Sequence, residues 1–414
     1  MKKKKAVSVI LSLALCFSAA GCGGSKSSDD SATEAENKTG GMTSMTSLIT
    51  DPEVKLKIGE IQKNISLYYL FDVDEEKRKE AIYKAVMEGL GDPYSEYYTK
   101  EEFDQLLEDN SGTYEGIGAV VTQDPDGIVS VVRPIKNSPA EEANLMAGDI
   151  IVQVDDMEVN GHDLTEVVSK IRGKGGTEAY LKVVREGKND YLEFHITRRE
   201  VENYSVDYKM LEDQIGYVQV TEFLEKTAPE FKEAVNDLIA QGAKGFIFDL
   251  RDNPGGLVSA ATEMSSFLAD ENKNPYGGLV LYTEGKDGKR LDEDKDTDGH
   301  KVDQPFVILM NKNSASSSEI FAGAMRDIAD AKLIGTQSFG KGIVQNVIRL
   351  SDGSGMKVTF AKYFNPSGYD LHEVGLAPDY EVELPNKRQN AVNLDRKDDT
   401  QLDKAIEVVK EEMK

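Results

Sequence analysis

The chain of 414 residues has no tryptophan, and it has little histidine. Its four histidines, His162, His195, His300 and His372, lie among ordinary strand or loop residues, and none stands beside a candidate nucleophile in the sequence. A Ser-His-Asp triad therefore lacks an evident base, although the members of a triad can come from distant segments. We expect all four histidines to be structural.

Cysteine is almost absent too, since Cys16 and Cys22 are the only two. Cys16 falls inside an N-terminal segment with the pattern of an export signal, so the exported chain has no thiol pair for a disulfide and no thiolate set for zinc. Stability must come from packing, and the length predicts two or three domains. Beyond the N-terminus no apolar run is long enough to span a membrane.

Positive charge is in deficit, because 49 lysines and arginines face 74 acids and give a net charge of −25. Such a chain repels the phosphate backbone of nucleic acids, which excludes a nucleic-acid partner. It also repels anionic lipid, so a covalent acyl chain is a better means of membrane attachment than a charged surface patch.

The N-terminus has the pattern of a signal peptide over residues 1–21, with Lys2 to Lys5 followed by an apolar stretch. It ends in Ala19-Ala20-Gly21-Cys22, which resembles a lipoprotein cleavage site, except that Ala19 stands where leucine is usual. We expect Cys22 to be lipidated and the protein to be extracytoplasmic, anchored to the cell membrane. An ordinary secretory signal cleaved nearby is the alternative. Residues 22–50 have the composition of a disordered tether.

The rest of the chain changes its pattern three times. Residues 51–112 carry apolar residues at helical spacing, with Thr99 as an N-cap, and residues 113–200 read as short strands with two helices. Residues 201–385 alternate strands and helices around a buried mixed sheet, as in α/β proteins. Residues 386–414 predict an amphipathic tail helix that lies on its own core or on a partner. The fold class is α/β and α+β, multidomain.

A serine-rich turn, Ser314-Ala315-Ser316-Ser317-Ser318-Glu319, follows an apolar strand and opens a helix. A hydroxyl at a strand-to-helix turn projects from the sheet edge, and the first N–H groups of the helix can stabilise an oxyanion. Helix capping by these serines is the simpler explanation of the turn taken alone.

A second turn, Ser338-Phe339-Gly340-Lys341-Gly342, places a lysine between two glycines before another apolar strand. The glycines allow close backbone approach, and apolar neighbours would favour the neutral amine that a general base requires. Gln345 on that strand could orient the amine. The third turn, Asp249 to Leu257, is rich in glycine and presents backbone N–H groups at a strand end.

Together these turns resemble the C-terminal processing peptidases, also called tail-specific proteases. Arg251 to Gly256 resembles the family's Arg-x-Asn-x-Gly-Gly turn, and the serine and lysine turns resemble its nucleophile and base motifs. The resemblance implies that Ser316 is the nucleophile, Lys341 the general base and Gln345 its orienting residue. It also implies an oxyanion hole from the N–H group of Ser317, which replaces the usual alanine, and from one of the glycine pair, with Gly255 preferred to Gly256. It matches Asp327 to an acidic position of uncertain role.

The resemblance further implies that residues 113–200 form a PDZ domain inserted before the protease core. Gly116, Ile117 and Gly118 would form the loop that binds the terminal carboxylate of a peptide, and Arg172 would communicate peptide binding to the active site. A solvated arginine is an equally good explanation of Arg172.

The function that follows is a serine endopeptidase with a Ser-Lys dyad, which takes exported or unfolded proteins by their C-terminal ends. A non-catalytic PDZ-type binding lipoprotein is the rival. We expect no cofactor and no metal, since the acidic insertion 292–303 begins like a calcium loop but has Pro305 where glutamate is required. A homodimer through the N-terminal helices or the tail is compatible with the family.

Overall fold

The computed structural model of the chain describes residues 50–385 except 125, 271 and 297–301, together with 394 and 396–414. The described residues fall into two compact units, 50–86 and 87–414. The signal segment, Cys22 and nearly all of the tether lie outside them. No helix within these described ranges is both long and apolar enough to cross a membrane.

The smaller unit is helical, with α1 (Pro52–Tyr68) and most of α2 (Glu75–Glu88). The Asp51 carboxylate accepts hydrogen bonds from the first N–H groups of α1, and Pro52 fits the first turn, where its missing N–H is not needed. No residue of α1 is buried in the unit. The predicted helical region 51–112 therefore spans both units, because α3 (Lys100–Ser111) belongs to the larger one.

The larger unit is built on a six-stranded mixed sheet, in the order β10-β11-β12-β15-β16-β19. Its strands are β10 (Val206–Met210), β11 (Ile215–Val220), β12 (Gly245–Asp249), β15 (Phe306–Met310), β16 (Lys332–Gly335) and β19 (Tyr380–Glu381). All neighbours are parallel except β10 and β11. Every residue of β12 and β15 is buried, which explains why these two strands are continuous apolar runs.

Helices cover both faces of this sheet. Three of them pack with Phe246, Phe248 and Ile308 in one core: α6 (Thr227–Ala240), α7 (Val258–Leu268) and α8 (Ser317–Ala329). The alternate strand residues form a second core with the C-terminal helix α9 (Thr400–Glu412), which inserts Leu402, Ala405, Val408 and Val409. The tail helix thus lies on its own core.

A second, antiparallel sheet has the order β1-β18-β13-β14, and β17 also pairs with β18. Its strands are β1 (Glu96–Tyr98), β13 (Leu279–Glu284), β14 (Arg290–Lys295), β17 (Ile343–Arg349) and β18 (Gly355–Phe364). β14 takes up the start of the acidic segment 292–303, the insertion that begins like a calcium loop. Its side chains are exposed and its backbone pairs with β13, and the Arg290 guanidinium also lies over the Tyr282 ring of β13, 3.8 Å from the ring centre. Asp298 and Gly299 lie outside the described residues.

Residues 113–202 form a separate layer with its own apolar core, which includes Ile117, Leu145, Ile151 and Leu181. Its sheet has the order β3-β4-β5-β7-β8 with β6 on β5, and β2 pairs with β9. The strands are β2 (Thr113–Gly116), β3 (Ala119–Gln123), β4 (Val129–Pro134), β5 (Ile150–Val154), β6 (Met157–Glu158), β7 (Glu178–Val184), β8 (Leu192–Thr197) and β9 (Arg199–Glu202). The helices are α4 (Pro139–Glu142) and α5 (Leu164–Ile171). The Ser138 hydroxyl caps α4 by accepting from the Glu141 N–H.

Candidate active site

The glycine, serine and lysine turns leave the carboxyl ends of β12, β15 and β16, which are consecutive in the main sheet. Because parallel strands end at the same edge, three segments that are far apart in sequence meet there. The sequence-predicted residues of the protease core are therefore brought to one end of one sheet.

Ser316 occupies a strained position at the start of α8. Its φ of 54° is in the left-handed region, which a serine rarely adopts, and its side chain is 1 % exposed. Its Oγ makes no hydrogen bond to any residue that the structure describes. A capping role therefore does not account for this hydroxyl, since only the Glu319 carboxylate takes part in a cap, by accepting from the Ser316 N–H at 2.9 Å.

The neighbouring serines have a different role. The Ser317 hydroxyl donates to the Gly256 carbonyl and the Ser318 hydroxyl to the Asn253 carbonyl, both at 2.9 Å. The Ser314 hydroxyl donates to the Leu250 carbonyl at 2.8 Å. These three bonds tie the serine turn to the glycine turn, so Ser314, Ser317 and Ser318 have a structural role that differs from the helix capping suggested by the sequence.

Steric crowding requires glycine at positions 255 and 256 of the third turn. A Cβ at Gly255 would lie 2.7 Å from the Ala315 carbonyl oxygen and 2.8 Å from Ser316 Cβ, and one at Gly256 would lie 2.1 Å from the Phe223 carbonyl oxygen. The Gly255 N–H, however, donates to Asn253 Oδ1 at 2.9 Å. Its role in an oxyanion hole stays a prediction, and so does that of the Ser317 N–H, whose nitrogen lies 3.1 Å from the same hypothetical Cβ.

The glycine turn is anchored by Arg251, which is buried between two carboxylates. Its guanidinium donates to Asp249 at 2.6 Å and to Asp399, at the start of α9, at 2.8 Å. Burial opposes the charge, but the two carboxylates outweigh it and raise the pKa of Arg251. The sequence pattern did not reveal this contact, because Asp399 is 148 residues away in the tail.

Glu319 joins the serine turn to the lysine turn. One carboxylate oxygen accepts from both the Ser316 N–H and the Lys341 N–H at 2.9 Å, and the other accepts from the Gly340 N–H at 2.7 Å and the Ser338 hydroxyl at 2.5 Å. The carboxyl is 1 % exposed, and its burial raises the pKa of Glu319 even though four donors favour the anion. The sequence assigned Glu319 no role, although an acid three residues after a capping serine is a recognisable signal.

Lys341 is 5 % exposed, and its Nζ lies 4.5 Å from the centre of the Tyr94 ring. Gln345 is fully buried on β17, where its Nε2 donates to Thr359 Oγ1 on β18 at 3.2 Å. Gln345 Oε1 has no partner among the described residues. Tyr94 was not foreseen from the sequence, in which it belongs to a turn that only ends a helix.

Two of the histidines make exposed hydrogen bonds away from the three turns, His162 Nδ1 with Glu166 at 2.8 Å and His195 Nδ1 with Glu178 at 2.9 Å. The backbone of His372, in contrast, packs against the lysine turn, where a Cβ at Gly342 would lie 2.8 Å from His372 N. His300 lies outside the described residues. Within the described ranges, no group of three or more His, Cys, Asp or Glu side chains is placed to hold a metal ion.

The second predicted site forms a cavity of about 220 Å³ between β3 and α5. Ile117, Gly118 and Arg172 are among its lining residues. Gly116 lies beside it, since a Cβ added at Gly116 would be 3.6 Å from Arg172 Cγ. Arg172 is not a solvated arginine. Its guanidinium pairs with Asp109 of α3 at 2.6 Å and stacks on Tyr114 at 4.5 Å.

A chain of contacts leads from this cavity to the glycine turn. Asp109 is followed by Asn110, whose carbonyl accepts from the Glu225 N–H at 3.0 Å. In the same loop the Phe223 N–H donates to the Gly255 carbonyl at 2.9 Å. Burial raises the pKa of Asp109, although Arg172 opposes the shift.

Comparison with known proteins places this geometry in context. Residues 214–382 match the sequence profile of "Peptidase family S41" and residues 130–185 that of "PDZ domain". The chain is 37 % identical over 332 residues to the carboxy-terminal processing protease CtpA of Bacillus subtilis, covering 80 % of this chain and 69 % of that one. It is 36 % identical over 340 residues to a probable CtpA-like serine protease of Staphylococcus haemolyticus, covering 82 % and 67 %.

Among solved structures, a putative S41 protease from Bacteroides fragilis NCTC 9343 superimposes with a TM-score of 0.53 at 16 % identity, covering 83 % of this chain and 93 % of that one. At this identity the likeness concerns the fold alone. It is consistent with an α/β core that carries a PDZ domain.

Proposed function

The chain belongs to the carboxy-terminal processing protease family of S41 serine-type peptidases, and from that premise we propose that Ser316 is its nucleophile and Lys341 its general base. The neutral Lys341 amine takes the proton of the Ser316 hydroxyl while Oγ forms a bond to the peptide carbonyl carbon. The proton then passes to the leaving amine as the peptide C–N bond breaks. Water hydrolyses the acyl-enzyme and releases Ser316.

The observation that carries this proposal is the shared acceptor. A single oxygen of Glu319 binds the N–H groups of Ser316 and Lys341, both at 2.9 Å, so the two residues are held next to each other across 25 positions of sequence. The strained backbone and unpartnered hydroxyl of Ser316 further support a functional role. The non-catalytic alternative has no comparable observation in its favour.

The first prediction concerns these two residues. We expect Ser316→Ala and Lys341→Ala each to lower the kcat/KM for cleavage of an unstructured protein at least about a thousandfold, because a nucleophile and its base act as one unit. Exposed matched controls, Ser259→Ala on α7 and Lys286→Ala after β13, should keep full activity. Full activity in Lys341→Ala would show that Lys341 is not the general base, and cleavage by Ser316→Ala would show that Ser316 is not the nucleophile.

We further propose that the PDZ domain presents substrates, exported or unfolded proteins, by their C-terminal carboxylates. The cavity beside Gly116, Ile117 and Gly118 combines an apolar lining with a turn at the end of β2, which suits an extended chain end. Two otherwise identical substrates, one with a free C-terminus and one with a C-terminal amide, separate this proposal from cleavage without end recognition. Equal KM values for the two substrates would contradict it.

We also propose that the protein is attached to the outer face of the cell membrane through a lipid on Cys22, on the strength of the sequence at residues 1–22. Incorporation of labelled fatty acid into the wild type and not into Cys22→Ser, with release of the variant from membranes, is the expected result. Retention of the variant on membranes without label would contradict it.

We also propose that the protein forms a homodimer through the smaller unit, residues 50–86. Leu56, Ile61 and Leu67 of α1 are exposed in a single chain, at 75 %, 51 % and 62 %, whereas the apolar face of α9 is already covered. Light scattering should find a dimer in the wild type and a monomer after Leu56→Ser with Ile61→Ser.

A further inference from the structure

Tyr94 lies directly against the amine of Lys341. The Nζ atom is 4.5 Å from the centre of the ring, within the range of a cation–π contact, and the ring is half-buried. Lys341 comes from the turn after β16, whereas Tyr94 comes from the turn before β1. The two therefore meet only because the fold brings their segments together.

The turn that carries Tyr94 is fixed to the strand next to Gln345. Ser95 Oγ donates to Asp92 at 2.6 Å and accepts from the Thr359 N–H at 3.0 Å, and the Thr359 hydroxyl accepts from Gln345. β1, which follows at once, pairs with β18 through Glu96 and Lys357. The turn that carries Tyr94 is thus anchored by backbone and side-chain hydrogen bonds in which Lys341 takes no part.

The charge of Tyr94 also suits this contact. Burial raises the pKa of Tyr94, and the carboxylates of Asp92, Glu319 and Glu373 raise it further. The phenol therefore stays neutral, so the ring offers its π face to the amine and not a phenolate charge. A ring face attracts an ammonium group more strongly than it attracts a neutral amine.

We infer that Tyr94 is a positioning residue for the general base, holding the ammonium form of Lys341 on its ring and thereby setting the pH range in which the base becomes available. This inference rests on the proposed function, since it deepens the role of Lys341. Ser316 Oγ makes no hydrogen bond to a described residue, so the amine is not bonded to the nucleophile in this arrangement. Loss of the proton weakens the ring contact and allows the amine to turn to Ser316.

Other titratable groups surround Lys341 and act in the same region. Asp92 lies on the turn of Tyr94, Glu319 on α8, and His372 and Glu373 on the loop that packs against the lysine turn. Burial tends to raise the pKa of Asp92, but hydrogen bonds from Ser95 and Thr359, and then the charge of Lys341, lower it overall. The test must therefore follow Lys341 itself as well as the reaction.

The test compares Tyr94→Leu, which keeps an apolar side chain but removes the ring, with Tyr94→Phe, which keeps the ring. Carbamoylation of Lys341 by cyanate, which reacts with the neutral amine, is measured against pH by peptide mass spectrometry, with exposed Lys286 as the internal reference. In Tyr94→Leu we expect the midpoint of the pH dependence of Lys341 carbamoylation to move about 0.5 to 1 pH unit lower. The acid limb of the pH profile of kcat/KM should move with it. In Tyr94→Phe the carbamoylation midpoint of Lys341 should shift by less than about a third of that amount.

An unchanged Lys341 midpoint in folded Tyr94→Leu would overturn the inference, as would equal shifts in both variants, which would assign the effect to the phenol hydroxyl. Circular dichroism confirms that each variant is folded. The proposed function fails separately, because it predicts loss of activity in Lys341→Ala whatever the labelling midpoint shows. A shift of the carbamoylation midpoint in Tyr94→Leu, together with full activity in Lys341→Ala, would support the contact between Tyr94 and Lys341 but contradict the Ser-Lys dyad.

Discussion

Replacement of Glu319 by glutamine should lower kcat/KM by about a hundredfold or more, although Glu319 is not expected to touch substrate. The carboxylate accepts four hydrogen bonds, two on each oxygen, and every partner is a donor. A glutamine amide replaces one oxygen with an NH₂ group, which cannot accept. Two donors on that side would lose their acceptor and face another donor in a buried site.

The effect on activity follows from position. Ser316 and Lys341 share one oxygen of Glu319, so an NH₂ group at that position deprives both of their acceptor, and at the other position it deprives Ser338 and Gly340 of the lysine turn. Either way one or both turns can move, and a displacement of about 1 Å is enough to cost about a hundredfold in rate. Glu233→Gln on α6 changes an exposed glutamate in the same chemical way and is the matched control. If Glu319→Gln kept the kcat/KM of the Glu233→Gln control, the shared carboxylate would not be what holds the nucleophile and the base together.

Removal of the Arg251 guanidinium should have the largest effect on stability. In Arg251→Met the carboxylates of Asp249 and Asp399 stay buried without their cation, and loss of one member of such a buried ionic group costs about 3 to 5 kcal/mol. We expect this fall in the free energy of unfolding from urea titrations followed by circular dichroism, since the chain has no tryptophan to report it.

Two further variants test whether the stranded carboxylates cause the loss of stability in Arg251→Met. Arg199→Met breaks an exposed ion pair, in which the Arg199 and Glu142 side chains are 45 % and 62 % exposed, and should lower the free energy of unfolding far less than Arg251→Met does. Adding Asp399→Asn to Arg251→Met should restore part of the loss, because it removes one of the two stranded charges and keeps the oxygen that caps α9. An Arg251→Met deficit no larger than that of Arg199→Met would show that the buried network does not hold the glycine turn.

The sequence alone was sufficient for features that depend on neighbours along the chain. The apolar runs at 215–220 and 306–310 are strands with these bounds, because buried parallel strands need continuous apolar residues. The Thr99 cap follows from local hydrogen bonding, which spacing records. The family also followed, because its three turns are short motifs whose residue types are fixed by backbone geometry and chemistry.

Contacts between distant segments were decided by the tertiary structure. Whether α9 covers its own sheet or a partner could not be read from an amphipathic pattern, which fits both, and β14 was missed because an exposed strand has no apolar alternation to reveal it. The same holds at the site. Ser316 and Lys341 were found from sequence as separate turns, but their common acceptor Glu319 and the ring of Tyr94 appear only once the strands lie side by side.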